Sequence, residues 1–196
     1  MKHLHLQVDA ACVPLFYPLF EKGVVIIATT GCTLRDFLCN QMGISGNYLD
    51  QRIQTLFLDA RPVDDVDKAV VRDGSVLALS AAMPGLLGAT MRKGGRYAAL
   101  RKDISQPAGE CGICPTSGRV TLKLFNMVIG ELAGRLLEAG VEVDGRDLER
   151  IAGRHPELLR RGIRTASMDG HSLAPGMDFF SSLSTRRVRL SVSVAK

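Results

Sequence analysis

Leu4, Leu6 and Val8 alternate with His3, His5 and Gln7, the period of a strand with one buried face. A continuous apolar, β-branched run over residues 24–28 predicts a second strand, covered on both faces. Between them, Cys12-Val-Pro-Leu-Phe-Tyr-Pro-Leu-Phe20 is too apolar for a solvated loop, and its two prolines break regular structure. Thr33 suits a helix N-cap, with Asp36 as the capping-box acid. Leu34, Phe37 and Leu38 then share one face, and Gly43 follows the last periodic residue. Strand patterns return at residues 54–58 and 76–80, separated by turns at 59–62 and 73–74.

Residues 84–119 break this composition with Gly85, Gly88, Gly94, Gly95, Gly109, Gly112 and Gly118 beside Pro107 and Pro115. Such a stretch reads as a linker or a long crossover. Val120, Leu122 and Leu124 begin a new strand; Val128, Leu132 and Leu136 mark a helix that Gly140 ends. A second helical stretch, 147–161, is divided at Pro156. The final strand, 187–194, places Val188, Leu190, Val192 and Val194 on one face, with a pairing strand expected at 164–168 before the Asp169-Gly170 turn. The pattern predicts an α+β chain: a β-grasp-like mixed sheet with one packed helix over residues 1–85, a Gly/Pro-rich basic linker or crossover over 86–119, and a second small α+β part over 120–196.

Strand, strand, helix, strand, crossing segment, strand is the β-grasp order. Thr33-Leu-Arg-Asp-Phe-Leu38, Phe57-Leu-Asp-Ala-Arg-Pro-Val63 and Val71-Arg-Asp-Gly-Ser-Val-Leu-Ala-Leu79 resemble the ThiS/MoaD-type sulfur-carrier group over about residues 24–85. Ala60 stands where that group has a turn glycine, and Ser75 where it has an aspartate. The resemblance implies a ubiquitin-like fold and a binding or assembly role. Members act through a free C-terminal Gly-Gly, whereas here a long stretch follows Met83-Pro84-Gly85, so carrier chemistry would require cleavage after Gly85. The same residues also resemble an S4 RNA-binding module. Asp36, Asp50, Asp59, Asp64, Asp65 and Asp67 argue against phosphate contacts there.

Composition narrows the class. Hydrophobic content of 46% with 23% charged residues suits a folded globular protein, and no apolar run reaches membrane-spanning length. The N-terminus alternates like a strand and lacks the apolar core of a signal peptide, so a cytoplasmic protein is expected. The net charge of +5 is uneven: residues 1–88 carry 7 Lys+Arg against 9 Asp+Glu, and residues 89–119 carry 6 against 2. That is too mild to predict nucleic-acid binding. Five cysteines, an odd number, fit reduced thiols rather than a disulfide framework.

Three groups of residues carry candidate chemistry. Cys111-Gly-Ile-Cys114 has the spacing of half a zinc site or a dithiol switch, with zinc the one cofactor it would take. Arg92, Lys93 and Arg96 surround Gly94 and Gly95, an arrangement suited to an anion but lacking a P-loop ending. Leu15, Phe16, Tyr17, Leu19 and Phe20 form a candidate partner-binding patch, with the C-terminal strand as a second edge for a homodimer or protein partner. His3 and His5 share a strand face, where exposed, solvated rings are the plainer expectation than a metal pair.

Overall fold

A computed structural model describes residues 1–101, 104–106, 115–174 and 178–195. In chain order the chain forms β1 (Lys2–Val8), a 3-10 turn (Ala10–Phe16), α1 (Tyr17–Lys22), β2 (Val24–Thr30), β3 (Cys32–Thr33) and α2 (Leu34–Asp36), which runs on as a π-helical turn (Phe37–Gln41). There follow α3 (Gly46–Gln51), β4 (Thr55–Leu58), β5 (Arg61–Pro62), β6 (Val70–Val71), β7 (Val76–Ser80), α4 (Gly85–Met91) and a 3-10 turn (Ala98–Arg101). The chain continues with β8 (Thr116–Phe125), α5 (Asn126–Ala139), β9 (Val141–Asp144), α6 (Gly145–Arg154) and α7 (Pro156–Gly162). It closes with β10 (Ile163–Met168), β11 (His171–Ser172), α8 (Asp178–Ser181) and β12 (Arg187–Val194). The class is α+β, as the sequence pattern predicts. No helix among the described residues is long and apolar enough to cross a membrane.

Two compact units emerge, and they do not follow one another along the chain. The first joins Met1–Val24 to Gly130–Lys196; the second is Val25–Ile129. The consecutive division expected at residues 85 and 119 gives way because β1 pairs in parallel with β12, Lys2 facing Val188 and Val8 facing Val194. Strands run β11-β10-β1-β12-β9 across the first unit. The expected pairing of the 164–168 strand with the last strand does not form: β10 lies antiparallel to β1 on its other side. Leu4, Leu6 and Val8 are fully buried, joined by Leu190 and Val192.

The proline-bearing apolar segment is ordinary core in this unit, which corrects its reading as a docking patch. Pro14 falls inside a 3-10 turn and Pro18 at the start of α1, where a missing N–H costs nothing. Phe16 and Phe20 are 0% exposed and Leu19 is buried, leaving Leu15 and Tyr17 half-buried. Nor is β12 an edge, since β1 and β9 occupy its two sides. Lys22 reaches both oxygens of buried Asp147 at 2.8 and 2.6 Å, and Arg150 adds a third bond at 2.8 Å, tying α1 to α6.

In the second unit the strand order is β2-β8-β7-β4-β5, with β3 and β6 paired apart. Thr33 caps α2, its hydroxyl accepting the Asp36 N–H at 3.2 Å, and Gly43 takes φ +64° after the helical turns. Leu34, Phe37 and Leu38 are all fully buried. β2 differs from its expected two-sided burial: Ile27 is 51% exposed. β7 and β8 are parallel, which requires a crossover connection between them. Its described part is folded, with α4 and the second 3-10 turn held by a buried Arg101 that grips Asp64 at 2.6 and 3.0 Å.

Candidate functional site

Alternation along β4, β7 and β8 divides the second unit's sheet into two unlike faces. Leu56, Leu58, Leu77, Leu79, Leu122 and Leu124 are buried on the inner one. The outer face carries Thr55 and Phe57 on β4, Ala78 and Ser80 on β7, and Phe125 on β8. Register aligns Thr55 with Ser80 and Ser80 with Phe125, and aligns Phe57 with Ala78. The middle strand therefore presents small side chains, Ala78 between Phe57 and Lys123 and Ser80 between Thr55 and Phe125. The result is a recess of about 290 Å³, lined by Thr55, Phe57, Ala78, Ser80, Met83, Phe125 and Asn126.

Its polar groups are few and unequally satisfied. Asn126, at φ +52° where β8 turns into α5, donates its side-chain amide to the Ser80 hydroxyl at 2.9 Å. Thr55 is 1% exposed, yet its Oγ1 meets no hydrogen-bond partner among the described residues. Leaving a hydroxyl dry and unpaired costs about 1–3 kcal/mol. A group carrying that cost at the wall of a recess is poised for an outside partner. Sequence reading missed Thr55 and Ser80. Part of the signal was present, since small residues alternate with leucine along residues 76–80 and one aromatic, Phe57 or Phe125, stands in each flanking strand, but it becomes a site only once the three registers are known.

Two other recesses are less demanding. One of about 400 Å³ in the first unit is lined by Arg160, Arg164, Thr165 and Ser172 among apolar residues, but Arg160 bonds Glu157 at 3.3 Å and Arg164 grips Asp9 at 2.6 and 2.7 Å. The other, about 560 Å³ and open, is lined by Asp144, Arg146, Arg186 and Arg187, with Arg146 turned back onto Asp144 at 3.0 Å.

The sequence-predicted sites fare differently. Cys111 and Cys114 lie outside the described residues. Arg92 and Arg96 are exposed, whereas the Lys93 ammonium turns inward to the Leu49 carbonyl at 2.9 Å and burial lowers its pKa. The Gly94 N–H donates to Asp64 at 3.2 Å, so the nearest anion to this loop belongs to the chain itself. His3 Nε2 and His5 Nδ1 both meet the Ser191 hydroxyl, at 2.8 and 3.0 Å. Among the described residues, no three His, Cys, Asp or Glu side chains gather to hold a metal. Cys12, Cys32 and Cys39 are free, and burial pushes all three thiols up, with Asp9 adding to the rise at Cys12 and Asp36 at Cys32. Thiols so placed stay protonated at neutral pH and make poor nucleophiles.

The aspartates that argue against RNA contacts have partners within the unit. Asp50 and Asp67 hold Arg35, Asp65 holds Lys68, and Asp59 accepts the Ser75 hydroxyl and the Val76 N–H. Comparison of the chain with family models, with curated proteins and with solved structures yields no significant match, so its function rests on this geometry.

Proposed function

We propose that this chain is a non-enzymatic binding module, whose second unit, similar to the β-grasp sulfur-carrier group over about residues 24–85, takes a small molecule on the outer face of its sheet. The unpaired Thr55 hydroxyl at the wall of the recess is the observation that carries the reading. Its concave, mainly apolar wall with a few convergent polar groups is the usual form of a ligand site. Binding rather than catalysis follows from the lining: among its described residues none is an acid, a base or an activated nucleophile. The free thiols support a reducing compartment, and we place the protein in the cytoplasm.

Titration of the full chain with a small-fragment mixture, followed by two-dimensional amide NMR, tests this. Shifts should gather at Thr55, Ser80 and Phe125 and vanish in Ala78→Phe, which fills the floor of the recess. Fragments that leave these amides unmoved in the wild type would remove the proposal.

A further inference from the structure

We infer that the ligand of this recess is a neutral, planar one- or two-ring compound presenting a carbonyl or ring-nitrogen acceptor to the Thr55 and Ser80 hydroxyls; the inference rests on the binding role proposed above. The two hydroxyls are direct cross-strand neighbours on β4 and β7. The Ser80 oxygen already accepts from Asn126, leaving its own proton to donate, and Thr55 has its full capacity unused. Two donors side by side select an acceptor.

Planarity follows from the walls. Phe57 and Phe125 project from the strands on either side of β7, whose Ala78 and Ser80 form the floor. Strands one apart from a shared neighbour stand about 10 Å from each other. Phe57 stands level with Ala78 and Phe125 level with Ser80, so the two rings flank the floor on a diagonal, and a flat ring laid along it meets both by the offset or edge contacts that aromatic pairs favour. Size agrees: about 290 Å³ lies at the small end of ligand sites and suits a ring system without appended phosphates. Neutrality follows from charge. The described residues that line the recess carry no charge, so an ionised ligand would lose its hydration inside it, with Lys123, level with Ala78 on β8, standing outside the lining.

The test titrates the full-length protein with benzamide, benzoate, benzylamine and cyclohexanecarboxamide, reading the amides of Thr55, Ser80 and Phe125 by NMR. Benzamide should shift them, with the two charged rings and the non-planar amide at least tenfold weaker. Thr55→Val should weaken benzamide at least fivefold, and Thr55→Ser should restore it. Ser80→Ala should lose a similar factor, which keeps the donor argument testable if Thr55→Val folds poorly. Equal binding by benzoate, benzylamine or cyclohexanecarboxamide, or unchanged affinity in both donor variants, overturns the ligand class while leaving a binding recess. Failure of all four probes to move these amides overturns the class, and only an unresponsive wider fragment mixture removes the binding role as well.

Discussion

Asp59 and Ala60 occupy the two-residue turn between β4 and β5 at φ +52° and +64°, the left-handed region. An L side chain there costs about 1–2 kcal/mol, which glycine avoids. Glycine gives back about 0.4–1 kcal/mol through its freer unfolded state. Ala60→Gly should therefore stabilise the protein by about 0.5–1 kcal/mol, read as a higher urea midpoint at unchanged slope. Asp59→Gly should not, because the Asp59 carboxylate accepts the Val76 N–H at 2.7 Å and the Ser75 hydroxyl at 3.2 Å. A destabilised Ala60→Gly would mean the turn is held by something other than its dihedrals. Turn chemistry of this kind is legible in the sequence, where the missing glycine at position 60 already stands out. The Thr33 cap and the positive φ of Gly43, Gly74 and Gly140 are legible for the same reason, since each depends on a few adjacent residues. Thr55 is not legible in that way. Its unpaired hydroxyl depends on what β7 and β8 place beside it, and no local pattern encodes that.

At the scale of elements, the crossover between β7 and β8 shows how one side chain can organise a glycine-rich stretch. The Arg101 side chain is 4% exposed and meets five oxygens: both of Asp64, the Thr90 and Arg92 carbonyls and the Ser105 hydroxyl. Composition alone suggests a solvated linker here, because glycine and charge are what linkers are made of. What composition hides is that a planar guanidinium can satisfy several backbone and carboxylate acceptors at once. Removing one partner of a buried pair costs about 3–5 kcal/mol, but Asp64 is 32% exposed and can rehydrate. Arg101→Ala should therefore cost less, about 2–3 kcal/mol. The loss should also be local: amide exchange over Gly85–Met91 should quicken more than over α2. Uniform acceleration across the second unit would show that Arg101 supports the whole sheet instead.

At the scale of the molecule, the first unit is built from the two ends of the chain, and this governs how its apolar segment must be understood. Alternation in β1 and β12 correctly marks both as strands with one buried face, yet nothing local tells either that the other is its neighbour. Without that pairing, the stretch from Val13 to Phe20 looks like surplus apolar surface. With it, the 3-10 turn and α1 bury Phe16, Leu19 and Phe20 in the first unit's core. Two readings of Phe16 then give opposite results. Were it an interface residue, its loss would weaken assembly and leave the fold intact. As core, its truncation removes a fully buried ring and leaves a cavity, a change worth about 3–5 kcal/mol. Phe16→Ala should lower the unfolding free energy by that amount, while light scattering under native conditions gives the folded variant the same mass as the wild type. Phe20→Ala should behave alike, since Phe20 is equally buried. A variant that unfolds at the wild-type urea concentration but scatters as a smaller species would return this segment to the surface and make it the contact between copies of the chain.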